Sequence, residues 1–396
     1  MLRVLHVIAN VAPRYGGPSR AAHDMCHALA ARGHYVELFT TNEDGNGVLP
    51  VPVGSPVPTD GYTTRYFGYT GPNGYPISGG LFHALQRRVG DFDLVDIHSI
   101  YQFHTLVASA IARRRDVPYI IRPHGTLDRY PRDRHRWRKA LYTALIERRN
   151  LDGAAAIHYM SDQERRESEE THIRAPGYVV PLGIDVGQFA QHTGEGDMPA
   201  AIPRNVPLVT YLGRLAEGKG LTTLVEAFAS VTRGGTHAHL VLAGPDSCGL
   251  RARLEGHVAG LRIANEVTFT GMLMGLPKVA LLQRSRLFVL PSRHENFGTS
   301  VVEAMASRVP VVVSSGVAIH PDIHAADAGL VVERTTAGVA DAIGRLLTDD
   351  TARERMASAA VALARGTYSL EAMGEGLERM YEFALRSGRA SAGDAA

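Results

Sequence analysis

The chain has 396 residues, enough for two domains. An apolar fraction of 45% and a charged fraction of 21% fit a globular protein, and a net charge of +2 gives no bulk argument for nucleic-acid binding. Only Cys26 and Cys248 occur as cysteines, which excludes a disulfide framework or a cysteine metal cluster and fits a reducing compartment.

The N-terminus, MLRVLHVIANVAP, has one basic residue, a short apolar run and an early proline. It reads as a first buried strand rather than a signal peptide. No run approaches the roughly 20 apolar residues of a membrane span. Short apolar runs then alternate with helical patterns. Strands are predicted at Arg3–Ala9, Tyr35–Thr40, Leu94–Ile97, Tyr119–Arg122 and Ala154–His158, with helices at Ser19–Arg32, Leu81–Val89 and Thr105–Arg114. Continuous apolar strands separated by helices predict a parallel sheet covered on both faces. Gly45–Gly80, rich in Pro, Gly, Tyr and Thr, reads as a long loop with at most one strand.

A polar, Gly- and Pro-containing segment, QHTGEGDMPAAIPRN (Gln191–Asn205), is the best linker by composition. A second strand series follows at Leu208–Leu212, His239–Ala243, Val267–Thr270, Leu287–Leu290, Val309–Ser314 and Gly329–Val332. The plan is therefore α/β, with two doubly wound domains in tandem. The expected bounds are a first domain over 1–190, a linker over 191–206 and a second domain over 207–368. A helix over 369–386 is expected to pack back on the first domain, with a disordered tail over 387–396. In such folds ligands sit beyond the carboxyl ends of the strands, so two facing domains would place a site in a cleft between them.

Three loops at strand ends carry the candidate chemistry. The first strand leads into Gly16 and Gly17, with Ser19 as the expected helix N-cap. Paired glycines let backbone N–H groups approach a phosphate, or they simply make a tight turn. The spacing is not G-x-G-x-x-G, so a nicotinamide dinucleotide fold is not supported. LGRLAEGKG then follows the first strand of the second series. Its Arg214 and Lys219 suit a phosphate, bidentate contact for the guanidinium and a mobile point charge for the lysine. Lone surface cations are the alternative reading. The third loop lies in RHENFGTSVVEAM, where Glu295 precedes a helix capped by Thr299 or Ser300 and Glu303 lies about one turn inside it. The helix end favours an anion, and two separated carboxylates can each accept hydroxyls from different parts of one ligand. That arrangement differs from the paired acids of a glycoside hydrolase.

This order, a G-G loop, then G-R-x4-K-G, then E-N-F-G-x4-E, resembles the retaining nucleotide-sugar glycosyltransferases of family 4, from Val4 to about Glu375. The resemblance implies a GT-B fold, two Rossmann-like domains facing across a cleft. It implies that Arg214 and Lys219 hold the donor diphosphate in place of a metal ion, with Gly213 beside them and Gly17, with Gly16, approaching from the other domain. Glu303 would bind the ribose and Glu295 the sugar hydroxyls, while backbone N–H groups around Asn296, Phe297, Gly298 and Thr299 hold sugar or phosphate. His124, in RPHGTL, would sit beside donor sugar and acceptor; without the resemblance a structural histidine is the simpler reading. His98 is a weaker acceptor-side candidate. Ser161 and Glu164 match a family pattern, but a helix cap explains them equally well. Two positions depart from the pattern: Leu182, where the family usually has Asn, and Arg286, for which the sequence offers no physical account.

The implied reaction moves a hexosyl unit from a UDP- or GDP-sugar to a hydroxyl of a glycan or lipid-linked acceptor with retention, in bacterial surface polysaccharide or lipopolysaccharide synthesis. No metal or other cofactor is implied, and the implied place is the cytoplasm or the inner face of its membrane. From Arg113 to Arg149 there are 12 Lys or Arg against 4 Asp or Glu, and Trp137, Leu141, Tyr142 and Leu145 fall on one helix face. A basic amphipathic helix over 128–149 can lie on an anionic membrane or pack its apolar face on the core. Other readings stay open. A phosphorylase would carry a lysine-bound pyridoxal phosphate with a visible absorbance, a nucleotide-sugar epimerase would need no acceptor, and a membrane-docked scaffold would need none of the four charged residues.

Overall fold

The computed structural model describes residues 1–127, 146–191, 194–246 and 248–393, the side chains of 195 and 388–393 excepted. The basic segment's expected helix therefore lies, over 128–145, outside the described residues. Two compact units are present: Met1–Gly183 with Leu370–Ala396, and Ile184–Ser369.

Unit 1 contains β1 (Arg3–Asn10), β2 (Tyr35–Thr41), β3 (Glu43–Asp44), β4 (Gly47–Val48), β5 (Pro56–Thr59), β6 (Tyr62–Phe67), β7 (Leu94–His98), β8 (Tyr119–Arg122), β9 (Ala156–Tyr159) and β10 (Gly177–Val179). Eight of them form a sheet in the order β10-β9-β8-β7-β1-β2-β6-β5. All neighbours run parallel except β5 and β6, which form an antiparallel hairpin at the edge. The stretch expected as a loop over Gly45–Gly80 thus supplies sheet strands. Its prolines, Pro56 and Pro58, sit on the edge strand, where a missing donor costs least.

Unit 2 contains β11 (Leu208–Leu212), β12 (His239–Ala243), β13 (Val267–Gly271), β14 (Ser285–Leu290), β15 (Val311–Ser314) and β16 (Gly329–Val332). They form one parallel sheet, β13-β12-β11-β14-β15-β16. Both main sheets reverse their strand order beside the first strand, between β1 and β7 in unit 1 and between β11 and β14 in unit 2. A parallel sheet needs helical crossovers, and where successive crossovers part to opposite faces a crevice opens at the carboxyl edge.

The boundaries differ from the sequence reading. The units divide at Gly183, not at 190. Within the expected linker, residues 194–206 are not a free segment: Met198, Ile202 and Val206 are buried and belong to unit 2. Their four-residue spacing was hidden among glycines and prolines. The last helix runs from Leu370 to Gly393, past the expected end at Arg386, since alanines and arginines continue it without a proline. Its residues Met373, Leu377, Met380, Tyr381 and Ala384 are buried in the unit 1 core with Met25, Cys26 and Leu29 of the helix Gly17–Ala31. Leu182 and Leu370 pack at the border of that core, which accounts for an apolar residue at 182. Arg286 pairs with Asp350, in the first turn of the helix Asp350–Thr367. No described helix is long and apolar enough to cross a membrane.

One buried charge in unit 1 gives a stability test. Burial opposes ionisation of Glu37 on β2, but hydrogen bonds from Arg88, Tyr35 and Arg65 outweigh it and hold its pKa down to about 2. Arg88 donates at 2.7 Å and Arg65 at 2.9 Å. A carboxylate depressed on folding stabilises above its unfolded pKa and loses that contribution as pH falls through its folded one. Glu37→Gln should therefore destabilise by on the order of 3 kcal/mol at neutral pH. In denaturant titrations the gap from wild type should narrow as pH falls from the ordinary carboxylate range toward 2; a constant gap would contradict the charge argument.

Candidate functional site

In unit 2 the switch point brings two loops together. One follows β11 and holds Gly213, Arg214 and Lys219; the other follows β14 and holds Glu295 to Gly298. The Gly218 carbonyl accepts the Arg293 N–H at 2.7 Å and the Ser292 hydroxyl at 3.1 Å. Gly220 has φ +72°, and a Cβ there would lie 2.2 Å from the Pro291 carbonyl oxygen. Only glycine allows the loops to close so far. Across this seam the Lys219 ammonium pairs with the Glu295 carboxylate.

Glu295 is fixed from behind. Its N–H donates to Gly316 O at 2.8 Å, and its carbonyl accepts from Ala318 at 2.9 Å. The carboxylate is thus held on a clamped backbone rather than a free loop. The helix Thr299–Ala306 starts from Gly298 at φ +86°. Neither Thr299 nor Ser300 caps it, contrary to the sequence reading, because the entry needs a left-handed residue. Among the described residues no side chain caps its first turn; Val301 N–H goes to Gly298 O at 2.8 Å, and the Thr299 and Ser300 amides at the positive end can take another acceptor.

Phe297 is 3% exposed, and its ring meets Tyr368 edge-on at 5.6 Å. Only its backbone can face a ligand; the ring anchors the loop. Asn296 and Thr299 are half-buried. Glu303 lies one turn into the helix and accepts from Lys278 Nζ at 2.6 Å. Lys278 was missed in the sequence. Its signal was a lone cation in the first turn of the apolar helix Gly275–Arg284, and it also lies 5.3 Å from the Phe189 ring centroid. Glu295 and Glu303 therefore do not pair with each other; each has its own lysine.

Arg214 is exposed, with no guanidinium hydrogen bond or ion pair among the described residues. The loop after β12 abuts the same seam: a Cβ on Gly244 would lie 1.8 Å from Gly213 O. Cys248, exposed, points its thiol at Leu215 O at 3.4 Å.

In unit 1, Gly16 at φ +69° precedes the helix Gly17–Ala31 as its N-cap. Ser19 is inside that helix, buried, and donates to Asn10 O at 3.3 Å, so it is not the cap. Gly16 and Gly17 are exposed, and a Cβ on either would meet nothing within 4 Å. Their use is conformational at Gly16 and open approach at both.

His124 follows β8 with φ +52°, beside Ser99 at +72° and Tyr101 at +62° after β7. Strained backbone at adjacent strand ends marks a constrained site. Burial, then Arg122 and His104, push the His124 pKa well below the usual histidine value, so its imidazole is neutral. Glu164 is 1% exposed and accepts from Gly125 and Met160 N–H, each at 2.7 Å. Ser161 caps the helix Asp162–Glu169, as the capping reading expects, and Glu164 holds the loop that carries His124.

The chain matches two family models: Glycosyl transferase 4-like domain over residues 16–183 and Glycosyl transferases group 1 over 198–362. An alpha-D-kanosaminyltransferase of Streptomyces kanamyceticus is 36% identical over 176 residues, 44% of this chain and 45% of that protein. The match thus spans under half of that relative. A D-inositol 3-phosphate glycosyltransferase of Corynebacterium aurimucosum is 27% identical over 334 residues, 78% of this chain and 76% of that one. Among solved structures, Anabaena Alr3699/HepE in complex with UDP and glucose superposes with a TM-score of 0.73 at 17% identity, covering 96% of this chain and 100% of the other. That likeness shows the fold, and with both family models matched in order the chain belongs to the family 4 glycosyltransferases of GT-B fold.

Proposed function

We propose that the protein transfers a hexosyl unit from a UDP- or GDP-sugar to a hydroxyl acceptor, with retention at the anomeric carbon. The observation that carries this is the seam in unit 2, where Lys219 and Glu295 meet and the same loop carries Arg214, exposed and without a guanidinium partner among the described residues. A cation next to an acceptor suits the junction of a phosphate and a sugar. The second pair, Lys278 with Glu303, offers an acceptor for vicinal ribose hydroxyls.

In this reading Arg214, Lys219 and the amides at the start of Thr299–Ala306 stabilise the departing diphosphate. Preorganised charge at a leaving group is commonly the largest protein contribution to such a step. Glu295 binds sugar hydroxyls. Gly16 and Gly17 serve the phosphates and His124 the sugar, by the family pattern. The acceptor is a glycan or lipid-linked hydroxyl of surface polysaccharide assembly, and the reaction belongs on the cytoplasmic side. The name of the inositol 3-phosphate glycosyltransferase supports a cyclic polyol as one acceptor class, that of the kanosaminyltransferase supports transfer of a hexosyl unit, and the UDP complex of HepE supports a uridine donor.

A thermal-shift comparison of UDP, GDP and ADP tests the donor directly. One of them at 100 times its Kd should stabilise by about 2.7 kcal/mol; no shift with any nucleoside diphosphate would sink the proposal. Lys219→Ala should cut kcat by roughly 100- to 1,000-fold with thermal unfolding little changed. Near-normal transfer would remove Lys219 from the phosphate role. Glu303→Ala should weaken nucleotide binding about tenfold by calorimetry, the loss of a charged hydrogen bond, whereas unchanged affinity would count against the ribose role.

A further inference from the structure

Behind His124 the unit 1 sheet carries an unusual polar row. His6 on β1 lies opposite Asp96 on β7, and His98 opposite Arg122 on β8. All four are fully buried, on the face covered by Tyr381 of the last helix. The polar atoms form one chain. Tyr381 donates its hydroxyl to Asp96 Oδ2 at 2.8 Å, and His6 Nε2 lies 3.4 Å from that hydroxyl oxygen. His6 Nδ1 meets His98 Nε2 at 2.9 Å, and His98 Nδ1 meets His124 Nε2 at 3.2 Å. The His98 and His124 rings stack with centroids 5.4 Å apart.

A neutral imidazole has one N–H and one bare nitrogen. Burial pushes the pKa of His6, His98 and His124 down, so three neutral rings must align head to tail. The direction is set at the Asp96 end. The Tyr381 hydroxyl spends its proton on Asp96 Oδ2, which leaves the phenolic oxygen to accept. His6 then donates through Nε2 and accepts at Nδ1. His98 donates to it through Nε2, which also faces Asp96 Oδ1 at 3.9 Å. His124 donates through Nε2 to His98, and its Nδ1 is bare.

We propose that the Asp96–Tyr381–His6–His98 chain is a positioning array that locks His124 with a bare Nδ1, so that this residue accepts a hydrogen bond from a substrate hydroxyl. Tyr381, on the C-terminal helix, is thereby a positioning residue for the transfer site. This rests on the sugar-side reading of His124. His6, Asp96 and His98 also bring ligand atoms within 4.8 Å of one another, as a metal site would. A dication is disfavoured there: the buried Arg122 already contributes a positive charge, and Asp96 is its largest stabilising neighbour. A wrong histidine tautomer suffices to disable a catalytic site.

The test uses the full chain labelled with 15N-histidine, free of nucleotide, with signals assigned through His6→Gln, His98→Gln and His124→Gln. Long-range 15N–1H spectra separate protonated from bare ring nitrogens. In the wild type, His124 should show a protonated Nε2 and a bare Nδ1. The opposite tautomer overturns the inference whether or not any variant folds, and so does bound metal by elemental analysis with metal-shifted His6 and His98 signals. Tyr381→Phe should mix the tautomers of His6, His98 and His124; an unchanged pattern removes Tyr381 as anchor. In turnover, Tyr381→Phe should lower kcat roughly 10-fold or more with donor KM little changed, the usual scale for an outer-shell partner. Unchanged kcat despite mixed tautomers rejects the positioning role. The nucleotide thermal shift tests the donor-phosphate residues and none of Asp96, Tyr381, His6 or His98, so a failed donor assignment and a failed array give different results.

Discussion

Parallel pairing is the constraint from which the rest follows. Strands that all run one way deliver all their carboxyl ends to one edge of the sheet, and the helices between them must lie on the two faces. The reversal of strand order beside β11 parts the crossovers there, and the G-R-x4-K-G and E-N-F-G loops come from the two strands that flank that break. The same reversal beside β1 in unit 1 sets the Gly16 loop and the ends of β7 and β8 on one edge. Side chains far apart in sequence, such as Lys219 and Glu295, meet because the topology leaves their loops nowhere else to go.

Within that frame, backbone contacts do more to shape the unit 2 seam than side chains do. The Gly218 carbonyl holds the second loop, and the close approaches at Gly220 and Gly244 leave no room for a Cβ. Phe297 contributes from the core side by packing on Tyr368. The charged groups then need only modest reach. Two lysine–glutamate pairs satisfy the four charges in the free protein, while Arg214 stays exposed. Partly buried pairs of this kind keep their geometry better than solvated charges, and a ligand that supplies both an anion and hydroxyls can replace each partner in kind.

Much of this was legible in the sequence. Continuous apolar runs give strands such as Leu208–Leu212 and His239–Ala243 their limits, since a strand covered on both faces tolerates no polar interruption. The motif glycines and acids could be read by spacing. What escaped depended on tertiary partners. Met198, Ile202 and Val206 looked like linker because their neighbours are polar, although they are buried. The caps at Gly16 and Gly298 were assigned to nearby hydroxyls, because a left-handed entry cannot be seen in composition. Lys278 had no motif of its own; it acquires meaning only from Glu303 across the fold. The buried row of His6, Asp96 and His98 was invisible for the same reason, being split between β1 and β7, 90 residues apart at His6 and Asp96.

The two thiols are placed very differently. Burial pushes the Cys26 thiol well above its ordinary pKa, inside the core beneath the last helix. Cys248 is exposed, its sulfur on the carbonyl of the residue next to Arg214. The chain therefore carries a single addressable thiol beside the loop of Arg214, with an inert second thiol as internal reference. A fluorophore or spin label there would report on that loop without any engineered cysteine.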